Sequence, residues 1–218
     1  GAAPLEFADH LGMPMREGLL FVHNTLVGAG LRDQVRIGAS GKIISAFDIA
    51  CVLALGADWA NSARGFMFAV GCIQSQSCHT NRCPTGVATQ DPIRQRALVP
   101  EDKAERVYSF HRNTLKALSQ MLAAAGLRHP SQLRPHHLVR RVSQTQVQLF
   151  SQLHTFLSPG ELLTGNCSHE FYASAWRMAR DDAFEARAAE QPGELIGVVH
   201  RVGHRCDEDK PVCVHAGT

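Results

Sequence analysis

The chain has 218 residues, 44% of them hydrophobic and 19% charged, and a formal net charge of +2. That length buries a core without disulfide staples, and no apolar run approaches the ~20 residues of a membrane span. The charge is mild, Lys and Arg are scattered, and only two Trp and two Tyr are available for stacking, which argues against a nucleic-acid binder.

In chain order, the first twelve or so residues read as loop, broken by Gly1, Pro4, Gly12 and Pro14. Residues 16–31 place Leu19, Leu20, Val22, Leu26 and Val27 at helical spacing and predict a buried helix. Val35 to Ala39 is a short apolar run ending in a Gly/Ser turn, a predicted strand. "SAFDIACVLALGAD" predicts the next helix, with Ser45 as N-cap and Gly56 closing it. "DWANSARG" predicts a second strand and its turn. This helix–strand alternation is the signature of parallel βα units and places the chain in the α/β class.

A cysteine-bearing loop follows, and then one long helix. Pro100 sits in its first turn, with Glu101 and Asp102 beside the positive end of its dipole. Ala104, Val107, Phe110, Leu115, Leu118, Met121 and Leu122 form its expected apolar face, and Gly126 ends it. Beyond 130 comes a Pro- and His-rich connector. Residues 145–157 and 169–184 predict two shorter helices, and residues 185–218 read as a loose tail.

Two segments carry phosphate-binding character. "GASGK", residues 38–42, lies between a strand and a helix, where the N–H groups of Ser40 and Gly41 would cradle an anion. It lacks the P-loop spacing, and alone it reads first as an ordinary strand-to-helix turn. "NSARG", residues 61–65, also follows a strand and adds Arg64. Two successive turns of this kind are what the last two strands of a (β/α)8 barrel use to hold a phosphate.

The seven cysteines accompany no signal peptide, which favours thiols in a cytoplasmic location over a secreted disulfide framework. Cys51 reads as a buried free thiol. Cys72, Cys78 and Cys83 differ, being spaced C-x5-C-x4-C and followed at once by Pro84. Three free loop thiols are one reading. Zinc completed by His79 is another, although adjacent ligands at Cys78 and His79 are awkward for a tetrahedron. An iron–sulfur cluster suits soft thiolates best, and a proline after the last cysteine also occurs in ferredoxin ligand runs.

"GCIQSQSCHTNRCPTGVATQDP" closely resembles the iron–sulfur loop of glutamate synthases. "GAAPLEFADHLGMPMREGL" resembles the end of that family's glycine-rich flavin segment. "VRIGASGKIISAFDIACVLALGAD" and "ANSARGFMF" resemble its seventh and eighth strands with their phosphate turns. The resemblance runs from residue 1 to about 140 and is nearest to the FMN-binding glutamate synthase-like members, whose C-terminal helices would carry it to about 184.

The resemblance implies the C-terminal portion of a (β/α)8 TIM barrel over 1–140, including the cysteine loop. A helical extension over 141–184 and a flexible tail over 185–218 would follow. It implies a [3Fe–4S] cluster on Cys72, Cys78 and Cys83. It implies FMN held by Ser40, Gly41, Lys42, Ala63 and Arg64, with Gly1 and Ala2 near the isoalloxazine ring. The family's turns usually read Asp-Gly and Ala-Thr, where this chain has Ser-Gly and Ala-Arg.

The implied reaction makes glutamate. FMN, fed by the cluster, reduces 2-iminoglutarate formed from 2-oxoglutarate and ammonia, with ammonia itself or glutamine as the nitrogen source. The electrons come from ferredoxin or an NAD(P)H-dependent subunit. Only two of eight strands are placed, and the family's substrate lysine would precede residue 1, so the chain reads as an incomplete and inactive fragment with no catalytic acid or base to nominate. His10, His23, His111, His136 and His137 are assigned to surface or packing roles. Two other readings stand beside this one: the same machinery acting on another amino or oxo acid, and a non-catalytic metal-stapled module that docks through helix 100–125. Open sheet edges predict poor solubility or self-association.

Overall fold

The computed structural model describes residues 4–183. Helix α1, Leu5–His10, occupies a stretch expected to be loop. Pro4 precedes it with extended backbone, and Glu6 lies in its first turn beside the positive end of the dipole. Helix α2, Met15–Gly28, follows, then strand β1, Gly38–Ser40, and helix α3, Ala46–Ala54. Strand β2, Trp59–Asn61, leads directly into helix α4, Ala63–Ala69.

Strands β1 and β2 are parallel, with Gly38 opposite Trp59, Ala39 opposite Ala60 and Ser40 opposite Asn61. Helix α3 makes the crossover, so the expected βα alternation is present. β1 is shorter and later than the predicted 35–39. Ile37 N–H is bonded to the Asp58 carboxylate (2.7 Å) rather than to a partner backbone, and that side-chain bond marks the edge of the ladder. Among the described residues the strands form two two-stranded sheets and no barrel.

The core lies between α2, α3, β1 and the later helices. Cys51 and Leu55 are fully buried, and Ile43, Ala50 and Val52 are nearly so. Burial pushes the Cys51 thiol up to about 11, and it stays a protonated core group. Ser45 caps α3 reciprocally with Asp48, as its position predicts. The short helix α5, Pro92–Gln95, follows the cysteine loop, and α6 spans Pro100–Ala124. The apolar stripe of α6 differs from the expected one. Leu118 and Leu122 are buried, but Ala104 and Leu115 face solvent, and Ala117 packs against the core in their place. Phe66 of α4 meets Phe110 edge to face at 5.3 Å and so fixes the middle of α6.

The expected helix over 145–157 is mostly absent. Strands β3, Val139–Arg141, and β4, Val147–Leu149, form an antiparallel hairpin instead, followed by one helical turn, α7, Phe150–Leu153. Thr145, Val147 and Leu149 alternate with glutamines, a period of two, and Gln152 accepts the Leu149 N–H at 3.0 Å, starting the helix late. Helix α8, Glu170–Met178, is shorter than the predicted 169–184, because Ala179 turns to extended backbone. Residues 185–218, expected as tail, lie outside the described residues, as do Gly1 and Ala2.

A second apolar cluster of Leu157, Leu162 and Tyr172 packs on the outer side of α2 through Phe21. Its anchor is polar. Asn24, with no solvent exposure, donates to Thr155 O (2.9 Å) and the Tyr172 hydroxyl (2.7 Å), and accepts Leu157 N–H (3.1 Å).

Candidate functional site

The two small-residue turns leave the sheet at the same end, because Ser40 and Asn61 are paired in register at the C-terminal ends of their strands. Ser62 then stitches the turns together, its hydroxyl donating to Ile43 O at 2.9 Å. At Gly41 φ is +152°, and a Cβ there would lie 3.0 Å from Met15 Cβ, so the turn holds a residue with no side chain. Lys42 follows with φ +52°. Ser40, Lys42 and Ala63 are exposed and Gly41 and Arg64 partly so, leaving both turn tips accessible.

The two helix starts are not equivalent. The first turn of α3 already carries an anion: the Asp48 carboxylate accepts Ile44 N–H (3.2 Å) and Ser45 N–H (3.0 Å), with Arg16 at 3.7 Å. Burial opposes its ionisation, but the bonds to Ser45 and Ile44 outweigh it and hold the Asp48 pKa below the usual carboxylate range. At α4 the N-cap Ser62 makes no capping bond, its hydroxyl being committed to Ile43. An anion lodged here would meet the Ser40–Lys42 backbone and the start of α4, since the N–H groups at the start of α3 are taken by Asp48.

The cysteine loop begins where α4 ends. Cys72 and Cys78 are half-buried and Cys83 is buried. Burial of Cys83 disfavours the thiolate. The Thr85 hydroxyl and the backbone N–H groups of Ala88, Thr85 and Val87 more than offset it and bring the thiol down to about 7. Soft-metal ligand chemistry therefore fits this position. The geometry is another matter: among the described residues no three His, Cys, Asp or Glu side chains are grouped to hold a metal ion. The thiols are present, but they do not converge as one ligand set.

The residues after Cys83 lock the loop. Thr89 donates to Asn81 O (2.7 Å) and also meets Asn81 Oδ1 (2.9 Å), which accepts Gln90 N–H (2.6 Å) as well. Asn81 can do this because it takes a left-handed conformation, φ 61°. Gly86, at φ +76°, passes so close to α5 that a Cβ would stand 2.4 Å from Arg94 O. Asp91 caps α5 by accepting Ile93 N–H at 2.8 Å. An open cleft of about 780 Å³ beside Cys78 is lined by His79, Asn81, Val87, Thr89 and Gln95. Sequence reasoning did not single out Asn81 and Thr89, although they sit inside the motif it quoted.

The conserved region of glutamate synthase matches residues 1–128, across both turns and all three loop cysteines. The chain belongs to the glutamate synthase family. It is 43% identical over 159 residues to the glutamate synthase large subunit-like protein YerD of Bacillus subtilis, covering 72% of this chain and 30% of that protein. It is 37% identical over 134 residues to the archaeal glutamate synthase [NADPH] of Methanocaldococcus jannaschii, 62% of this chain and 26% of the relative. The match to the B. subtilis glutamate synthase [NADPH] large chain is 38% over 92 residues, covering 42% of this chain and 6% of the relative. This glutamate synthase family chain thus spans less than a third of the length of these relatives.

Of the histidines expected in surface or packing roles, His10, His111 and His136 are exposed and His23 and His137 half-buried. His23 accepts Arg32 Nε–H at 3.1 Å, His111 lies against Phe66 at 5.8 Å, and the His136 and His137 rings are 4.1 Å apart.

Proposed function

We propose that this chain supplies the cofactor-bearing end of a glutamate synthase-like oxidoreductase. What carries the reading is a single family match that spans two register-paired βα turns and the three-cysteine loop. In this reading β1 and β2 are the last two strands of a (β/α)8 barrel. Ser40, Gly41 and Lys42 hold an FMN phosphate through backbone N–H groups, and Ala63 and Arg64 close on it from the start of α4. Arg64 takes the place of a neutral residue in the family pattern and pairs with the phosphate as a fixed cation. Gly1 and Ala2 belong to the ring end of that site.

Cys72, Cys78 and Cys83 are the thiols that would take a [3Fe–4S] cluster. They are not drawn together among the described residues, so a cluster would need the loop to bring the three thiols closer around it. When bound, FMN supplies hydride transfer and the cluster supplies single electrons. The protein's own part is to keep Cys83 ready to ionise and to brace its loop through Asn81, Thr89 and Asp91. The substrates are 2-oxoglutarate with ammonia or glutamine, and the donor is ferredoxin or an NAD(P)H-dependent subunit. The alternative of another amino or oxo acid uses the same two cofactors.

The phosphate reading is tested by titrating the chain with FMN and with riboflavin. FMN is expected to bind at least roughly tenfold tighter, and Arg64→Gln to erase most of that difference. Equal affinity for the two flavins in the unaltered chain would overturn it.

A further inference from the structure

From Arg106 through Gly160 the chain contains seven Lys or Arg, Arg106 included, and no Asp or Glu. The middle of this stretch is surface: Arg128, Arg134, Arg140 and Arg141 are all exposed. The ion pairs among the described residues involve none of these four. The β3–β4 ribbon that follows is solvated on both faces, with Val139 57% and Val147 59% exposed. An isolated two-stranded ribbon is marginal in water, and this one is held only at its base, where Leu138 and Phe150 are buried and Phe150 N–H bonds Leu138 O at 2.9 Å.

We propose that this ribbon and the turns leading into it, residues 128–148, form a docking surface for an acidic protein. Like charge repels a second copy of the same face, and an acidic partner supplies what the stretch lacks. The exposed valines between arginines favour a protein surface over nucleic acid, since protein interfaces pair apolar anchors with arginine and the ribbon has no aromatic side chain for base stacking.

The ribbon's base and the start of the cysteine loop lie against opposite parts of α6. Lys103 of α6 lies beside Gly71, its Nζ 3.9 Å from where a Cβ would stand, whereas Leu122 lines a cleft with Leu133 and Leu138 at the ribbon's base. Those two positions are nineteen residues apart on α6, roughly 28 Å at about 1.5 Å per residue. A protein held here anchors or assembles the enzyme, a role that stands whether or not the cofactor reading does.

The test titrates the purified chain at low salt with a glutamate–tyrosine copolymer, with polyglutamate and with single-stranded DNA, all of equal charge. The copolymer is expected to bind tightest. Replacing Arg128, Arg140 and Arg141 together by Gln should weaken it roughly tenfold, and Lys at the same positions should restore most of it. Val139→Thr with Val147→Thr should remove the copolymer's advantage over polyglutamate. Circular dichroism on each variant separates lost binding from lost fold, and the Lys variant keeps the test decisive if the Gln variant unfolds. Unchanged binding in a folded Gln variant, or weak binding in a folded Lys variant, would overturn the proposal. So would tightest binding by DNA, or an advantage that survives the valine changes.

Discussion

Asn24 shows how one polar side chain can hold two parts of the chain together. It is fully buried on α2, and its three hydrogen bonds all reach residues 155–172. Asn24→Ala would leave the buried Leu157 N–H and Tyr172 hydroxyl without their partner, and should cost about 3 kcal/mol in a urea melt. A loss below about 1 kcal/mol would mean that water replaces the amide. Nothing in the sequence marks this residue. It falls within an apolar helical pattern, and its partners are more than 130 positions away. Cys83 was legible as a ligand candidate because its spacing and the following proline are local. Its lowered thiol pKa was not, because it depends on where the Thr85, Val87 and Ala88 amides point once the loop has folded.

At the scale of elements, the local start signals of two helices were legible, whereas α1 was missed although Pro4 precedes it. Ser45 caps α3, and Pro100 opens the long α6. The hairpin over 139–149 was missed because glutamines between apolar residues satisfy a helical and a strand period equally over so few positions. Its pairing with residues 139–141 decides the matter. The contacts that tie α2 to the β2 turn also set the acid response. Burial, with Arg32 alongside, lowers the His23 pKa below its ordinary 6.5. Burial likewise lowers His154 and His137. The unfolded chain therefore takes up protons first as pH falls below about 6.5, and stability drops there, with no such loss above it. A second drop belongs to Asp48 and Asp58, whose folded pKa values are held low by backbone and side-chain hydrogen bonds that outweigh burial. Their contribution is present above about 3.9 and fades as pH falls through the lower folded values. Melting temperatures taken between pH 8 and 3 should show both steps, and His23→Gln should flatten the first. A profile flat between pH 7 and 5 would contradict this account.

At the scale of the molecule, a two-stranded parallel sheet cannot bury its own faces. Trp59 is 48% and Phe47 47% exposed beside it, and Ile73 and Ile93 are more exposed still. Together with the open edges of β1 and β2, this predicts concentration-dependent self-association of the isolated chain by light scattering. A monodisperse monomer would show that these surfaces need no cover. The family was legible because the turns and the loop are short, contiguous motifs. The strands among the described residues form no barrel, since two parallel strands cannot close a sheet on themselves. The central claim is that the three-cysteine loop serves electron transfer. It is tested most directly by assaying iron, acid-labile sulfide and zinc in anaerobically purified protein, alongside a visible spectrum and the same assay on Cys78→Ser. The account predicts about three irons and about four sulfides per chain, lost in the variant. One zinc and no sulfide would contradict it and leave a structural staple.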